Sequence, residues 1–337
     1  MTPLPVSVIT GFLGSGKTTV LSRLLRDPAL ARTAVIINEF GEVGLDHLLV
    51  EASDEEIVLL DSGCVCCKVR GDLVRTAGDL LARRAAGAIG PFERIVIETT
   101  GLADPAPILQ ALMTDPALAG ALCLESVITT VDAAAGAATL DAHPESVKQA
   151  AVADRIVVTK TDLSDPAVSG LAGRLRILNP TALQLTAVHG AVDANRLFDG
   201  ALYDPAARGT DVLRWLGDGA VTHGRHDGTV TSFCLRRSAP LRAVTLTLFL
   251  QVLAEHCGAG LLRLKGLVNV RESPGRPAVI HGVQHVFHPP AWLDAWPDGD
   301  HTTRIVVIAP GLDARWLEAL LDALDDEVSG LERNQDV

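Results

Sequence analysis

The chain has 337 residues and a formal net charge of −12. It is longer than one ordinary domain and too acidic to coat a phosphate backbone, so a large α/β domain with a smaller second one is expected and nucleic acid is excluded as a partner. The N-terminus carries no basic segment followed by an apolar one, and no window approaches the roughly 18 uninterrupted apolar residues of a membrane span, so a cytoplasmic protein with no membrane partner is expected.

Pro5–Thr10 is an apolar run that reads as a strand, and Thr19–Leu25 reads as the body of a helix. Between them Gly11–Thr18 runs Gly-Phe-Leu-Gly-Ser-Gly-Lys-Thr, the phosphate-loop pattern in its confirming strand–loop–helix context. Glycines there let backbone N–H groups wrap an anion at a helix N-terminus. Gly11, Gly14, Ser15, Gly16, Lys17, Thr18 and Thr19 are therefore the candidate phosphate binders. Lys17 would reach the β and γ phosphates, and the Thr18 hydroxyl would sit on Mg²⁺.

Asp27-Pro28 ends the first helix, and Ala34–Asn38 is a short apolar run of the kind buried in a parallel sheet. The loop after it, Glu39–Asp46, occupies the place where such proteins order a segment around the γ-phosphate. A further strand, Ile57–Asp61, delivers the chain into Ser62-Gly63-Cys64-Val65-Cys66-Cys67-Lys68.

Six cysteines stand at 64, 66, 67, 123, 234 and 257, and the crowding of the first three excludes a disulfide framework in favour of metal or redox chemistry. Thiolates are soft donors that favour Zn²⁺, Cu⁺ and similar ions. Adjacent Cys66 and Cys67 project divergently, so carboxylates are needed as candidate partners, and Glu39 and Glu42 are the nearest. Buried small hydrophobes or a redox switch are the alternative uses of these thiols.

Asp72–Ala86 has helical spacing and is broken at Gly90-Pro91. Arg94–Glu98 is a strand ending in an acid, with Gly101 three positions on: Glu98 is placed to hold Mg²⁺ or its water, and the Gly101 amide to meet the γ-phosphate. Another strand, Ser126–Asp132, also ends in an acid. Asp132 ranks second for the metal side and first as a helix cap or supporting hydrogen bonder.

Arg155–Thr159 leads into Lys160-Thr161-Asp162, where guanine-specific proteins carry Asn-Lys-x-Asp. The Asp162 carboxylate would accept from guanine N1–H and its amine, which adenine cannot supply, and the Lys160 stem would cover the base. Thr159 stands where asparagine is usual, which weakens one ordering contact. Leu183–Val188 closes the sheet, with His189-Gly190 on a base-side loop.

The expected architecture is an α/β phosphate-loop GTPase domain over residues 1–199, its mostly parallel sheet flanked by helices. A connection follows over 200–228, holding His223 and His226, then a smaller α+β domain over 229–330 and a charged, frayed tail over 331–337. In the second domain strands are expected at Thr229–Leu235, Leu261–Asn269, Ala278–Val286 and Arg304–Ala309. Helices are expected at Leu241–Cys257, near Pro290–Trp296 and at Ala314–Ala323. His281 and His285, an even number of residues apart, are expected on one strand face with His288 out of phase.

Taken together these motifs resemble the CobW-like GTPase family, the metallochaperone branch of the phosphate-loop GTPases. The resemblance rests on Gly11–Thr19, Asn38–Glu42, Gly63–Cys67, Glu98–Pro105 and Thr159–Asp162, with Leu264-Lys265-Gly266 and His281-Gly282-Val283 in the second domain. It implies a metal site on Cys64, Cys66 and Cys67 with Glu39 or Glu42, whose affinity follows the nucleotide. It also implies Mg²⁺-dependent hydrolysis of GTP and delivery of zinc first, or cobalt, to a client metalloprotein by a monomer or homodimer. The alternative is a GTPase that remodels a partner enzyme without carrying metal. An ATP-dependent phosphotransferase ranks third, because Lys160-Thr161-Asp162 argues for guanine.

Overall fold

The computed structural model describes residues 3–37, 59–61, 69–118, 120–163, 169–198, 212, 216, 224–225 and 230–335. They form two compact units, Met1–Arg174 with Ala182–Tyr203, and Leu175–Thr181 with Asp204–Val337.

Among the described residues the first unit holds seven strands: β1 (Leu4–Gly11), β2 (Thr33–Ile37), β3 (Leu59–Asp61), β4 (Arg94–Glu98), β5 (Leu122–Asp132), β6 (Arg155–Thr159) and β7 (Leu183–Thr186). Their order is β3-β2-β4-β1-β5-β6-β7, and every neighbouring pair is parallel. Val6, Val8, Ile9, Val35, Ile97, Ile128 and Val157 are buried, as strands covered on both faces require.

The helices are α1 (Lys17–Leu24), α2 (Val69–Ala85), α3 (Ala106–Thr114), α4 (Gly136–Ala142), α5 (Pro144–Val152), α6 (Ser169–Leu178) and α7 (Ala194–Leu197). Val20, Leu21 and Leu24 of α1 and Leu197 of α7 join Ile9, Val35, Ile128 and Leu185 in one core. Parallel pairing with this order brings the strand ends to one edge. Ile9 faces Glu98 across β1 and β4, Ile37 faces Glu98 on one side and Asp61 on the other, and Gly11 faces Thr130.

The second unit is an antiparallel sheet of β8 (Gly224–Arg225), β9 (Thr231–Arg237), β10 (Arg263–Val268), β11 (Ala278–Val283), β12 (Val286–Phe287), β13 (Ala291–Trp292) and β14 (Thr303–Ala309). The order is β12-β11-β10-β14-β9-β8, with β13 on β11. One face, with Phe233, Leu235, Leu264, Ile280, Ile305 and Val307, packs on α8 (Ala243–Cys257) and α9 (Ala314–Gln335) through Leu246, Phe249, Leu253, Leu317 and Leu321. Residues 243–260 are long and apolar enough by composition to cross a membrane. That stretch is nonetheless two-sided: Thr245, Leu246, Phe249 and Leu253 are buried, while Thr247, Gln251 and Glu255 are exposed.

Four expectations are corrected. No helix forms near Pro290–Trp296: Ala291–Trp292 pair with Ala278–Val279, because two prolines leave the segment extended for an edge strand. The tail expected to fray from Leu331 remains helical through Gln335. Gly224–Arg225, placed in a connection, pair with β9. The long strand read over Ala278–Val286 breaks at Gln284, whose φ of 53° begins a hairpin. Gly282 then faces Phe287, and the His288 amide donates to the His281 carbonyl at 3.1 Å. His288, not His285, stacks on His281, with ring centroids 4.2 Å apart.

Candidate nucleotide site

Gly11 ends β1 with φ of 142°, and a β-carbon there would lie 2.4 Å from Thr130 Oγ1 and 2.5 Å from its carbonyl, so only glycine lets the chain leave the sheet here. Helix α1 opens behind Gly16 with no side-chain cap, so its first-turn N–H groups keep the character of an anion cradle. Lys17 is 8% exposed, and its ammonium folds back over the loop, donating to the carbonyls of Gly11 at 3.0 Å and Phe12 at 3.2 Å.

Thr18 Oγ1 donates to Glu98 Oε1 at 2.6 Å, joining the two residues expected on Mg²⁺. A hydroxyl and a carboxylate side by side are the hard oxygen donors that ion takes. Gly101 lies against the glycine loop: a β-carbon would come 2.7 Å from the Leu13 nitrogen. Glu98 and Gly101 are thus brought to the glycine loop that carries Lys17 and Thr18.

On the side expected to hold the base, Thr159 Oγ1 donates to the Ser15 carbonyl at 2.6 Å. Threonine in place of the usual asparagine thus still ties β6 to the glycine loop. Ser15 Oγ also shares a 2.6 Å hydrogen bond with Thr130 Oγ1. Lys160 holds a left-handed φ of 56°, and its ammonium reaches Asp132 Oδ2 at 2.7 Å.

Asp132 also accepts from the Ala134 and Ala135 amides at 2.8 and 3.1 Å, closing the turn before α4 rather than capping that helix, which opens behind Ala135 with no side-chain cap. Of the two structural uses expected of it, it is the supporting hydrogen bonder and not the helix cap. Burial pulls its pKa up, but Lys160 and the two amides outweigh that and hold it below the ordinary carboxylate value. Asp162 lies beside His189, with 3.6 Å between Oδ2 and Nδ1. The turn carrying His189 rests on α1, since a β-carbon on Gly190 would meet the Thr19 carbonyl at 2.8 Å.

Glu39, Glu42, Cys64, Cys66 and Cys67 lie outside the described residues. Among the described residues no group of three or more His, Cys, Asp and Glu is placed to hold a metal ion. Thr130, His143 and Gln149 are parts of the site's frame that sequence reading missed. Thr130 had a legible signal, two positions before the acid that ends β5. The other two, Gln149 on α5 and His143 just before it, had none.

A parallel sheet of this order, with a glycine loop between β1 and α1 and an acid at the end of β4, defines a phosphate-loop GTPase. Residues 5–186 match the family model described as CobW/HypB/UreG, nucleotide-binding domain, and residues 230–325 match the cobalamin synthesis protein cobW C-terminal domain. The chain is similar to the zinc chaperone YjiA of Escherichia coli, 32% identical over 91% of this chain and 94% of that one. It is also similar to the zinc chaperone CobW of Pseudomonas aeruginosa, 33% identical over 92% of this chain and 88% of the relative. A crystal structure of a Zn(II)-bound triple mutant of the YjiA GTPase, with one glutamate and two cysteines changed to alanine, superposes with a TM-score of 0.71 at 27% identity. That match covers 96% of this chain and 99% of that one. The chain belongs to the CobW/HypB/UreG family of GTPases.

Proposed function

We propose that this GTPase carries zinc, with cobalt as the second candidate, to a client metalloprotein. Cys64, Cys66 and Cys67, with Glu39 or Glu42, hold the ion, and the bound nucleotide sets how tightly. The observation that carries this reading is the register at Ile37, which faces Glu98 on one side and Asp61 on the other. Ile37 is followed in sequence by the Asn38–Glu42 run, and Asp61 precedes Cys64 by three positions, so the last described residues before both runs are level with the acid expected at the γ-phosphate. The names of the two zinc-chaperone relatives support zinc as the cargo.

In this reading Lys17 exchanges its bonds to the Gly11 and Phe12 carbonyls for β- and γ-phosphate oxygens, and the α1 amides hold the remaining charge. Thr18 and Glu98 are the residues that would hold Mg²⁺, which when bound offsets charge on the phosphate oxygens. Gly101 supplies its amide to the γ-phosphate, and Lys160 and Asp162 hold guanine. No described arginine is placed as a finger on the phosphates, so slow intrinsic turnover, accelerated by the client, is expected. GTP as substrate supports a cytoplasmic location, and a monomer or a homodimer serves equally.

The test is a competition titration of Zn²⁺ and Co²⁺ against a chromophoric chelator, with Mg²⁺ and either GDP or a non-hydrolysable GTP analogue. Wild type is compared with Cys66→Ala/Cys67→Ala. Zinc remains in a relative's variant lacking two cysteines and a glutamate, so the readout is affinity and its nucleotide dependence rather than the presence of metal. Thiol-dependent binding that tightens about tenfold with the GTP analogue supports the reading. Affinity indifferent to nucleotide and to the cysteines would turn the reading toward partner remodelling without cargo.

A further inference from the structure

Gln149 sits in the middle of α5 and is 0% exposed. Its Nε2 donates to the Ala103 carbonyl at 3.0 Å and the Gly101 carbonyl at 3.2 Å. Two carbonyls facing one amide nitrogen fix which way the amide points, because a flipped side chain would set oxygen against oxygen. The other end, Oε1, has no hydrogen-bond partner among the described residues, and Gln149 borders a cavity of about 40 Å³ that Phe12, Leu13, Gly136 and Ser146 also line. That is room for one water molecule.

The segment held this way is the one that contains Gly101. Glycine's φ and ψ are set by its surroundings more than those of any other residue, so the peptides on either side of Gly101 need external contacts to hold one orientation. One contact is the glycine loop, which Gly101 touches at Leu13. The other is Gln149, through the Gly101 and Ala103 carbonyls. Lys148, the neighbour of Gln149, pairs with Asp104 at 3.3 Å, a third tie from α5 to the same segment.

Helix α5 also touches the glycine loop itself. His143, the residue before its first turn, stacks on Phe12 with ring centroids 4.3 Å apart. Its middle is anchored to the sheet, where Thr129 Oγ1 donates to the Gln149 carbonyl at 2.7 Å. A single short helix therefore bears on the loop that follows β1 and on the loop that follows β4, and its sheet anchor fixes the distance between the two.

We infer that Gln149 is a positioning residue for the γ-phosphate response: it presets the Gly101 segment against the glycine loop so that a triphosphate, and not a diphosphate, meets an ordered amide. It touches no reacting atom and acts through Gly101. The inference rests on the reading of Gly101 given above and adds which residue holds it in place.

The experiment compares wild type, Gln149→Met and Gln149→Asn. Methionine keeps the volume and loses the donor, whereas asparagine keeps the amide one methylene short. Affinities for GDP and for a non-hydrolysable GTP analogue are read with fluorescent nucleotides in Mg²⁺, with kcat for GTP and melting temperature alongside. Gln149→Met, which removes the donor from both carbonyls, is expected to lose about tenfold in analogue affinity and about tenfold or more in kcat, within the cost of two lost hydrogen bonds, while GDP affinity stays within about threefold. Gln149→Asn, which strains the core less, is expected to fall between the two and serves if the methionine variant does not fold. Equal losses for GDP and analogue, or an unchanged kcat in a folded variant, would overturn the inference. Wild type that fails to prefer the analogue over GDP in Mg²⁺ would instead overturn the reading of Gly101 on which it rests.

Discussion

The Thr159 hydroxyl donates to the Ser15 carbonyl at 2.6 Å, binding the end of β6 to the middle of the glycine loop. Both atoms are buried, and the same hydroxyl lies 3.3 Å from the Val131 carbonyl. The sides proposed to take the base and the phosphates are therefore tied together through one hydroxyl.

Thr159→Val is the isosteric test of that tie. It leaves the Ser15 carbonyl without a donor, at a cost of about 1–3 kcal/mol. GDP and GTP-analogue affinities are expected to fall together, by about five- to tenfold, in nucleotide titrations. A loss confined to one nucleotide would contradict the account.

Glu98→Gln keeps the hydrogen bond to Thr18 possible and removes the charge. GTP hydrolysis is expected to drop by about 10²-fold or more, while GDP affinity measured without Mg²⁺ changes little. The check is phosphate release alongside nucleotide titration with and without Mg²⁺.

A buried network lies at the opposite end of the same sheet. Arg94 binds both oxygens of Glu125, at 2.9 and 3.0 Å, and Ser7 Oγ donates to the same carboxylate at 2.8 Å. Glu125 is 3% exposed, so Glu125→Ala strands a guanidinium and a hydroxyl and is expected to cost about 3–5 kcal/mol. Urea denaturation reads that loss, with nucleotide affinity unchanged in the folded protein.

His288 makes the second unit sensitive to acid. Burial, helped by the nearby Arg263 guanidinium, pushes its pKa from 6.5 down to about 4, and its ring lies on that of His281. Between those values the unfolded chain takes up a proton that the folded chain refuses. The stability His288 contributes is therefore complete above pH 6.5 and is lost as the pH falls toward about 4. His288→Phe keeps the stacking and removes the titration. Urea midpoints are expected to decline less on acidification in the variant, and identical slopes would contradict the assignment.

The first unit was largely legible because its strands are short, continuous apolar runs, and its glycine loop, Glu98 and Lys160-Thr161-Asp162 follow such runs directly. Buried parallel strands advertise themselves by composition, and function sits where each run ends. The contacts of Thr159, Gln149 and His143 were not legible, because they join residues far apart in the chain, across 144 positions for Thr159 and Ser15. In the second unit the hairpin at Gln284 was missed because a left-handed glutamine carries no turn signature. That one residue reassigned the partner of His281. Ala291–Trp292 was misread as helix since two residues of edge strand leave no period to detect.

The central claim, that nucleotide and metal share one coupling free energy, is tested most directly by its reciprocal. The measurement is the affinity of a non-hydrolysable GTP analogue, and of GDP, with and without saturating Zn²⁺ in the presence of Mg²⁺. Linkage requires zinc to tighten the analogue by the same factor, about tenfold, by which the analogue tightens zinc, relative to GDP in each case. That result, lost in Cys66→Ala/Cys67→Ala, is the one predicted. Analogue and GDP affinities that do not move with zinc would contradict it.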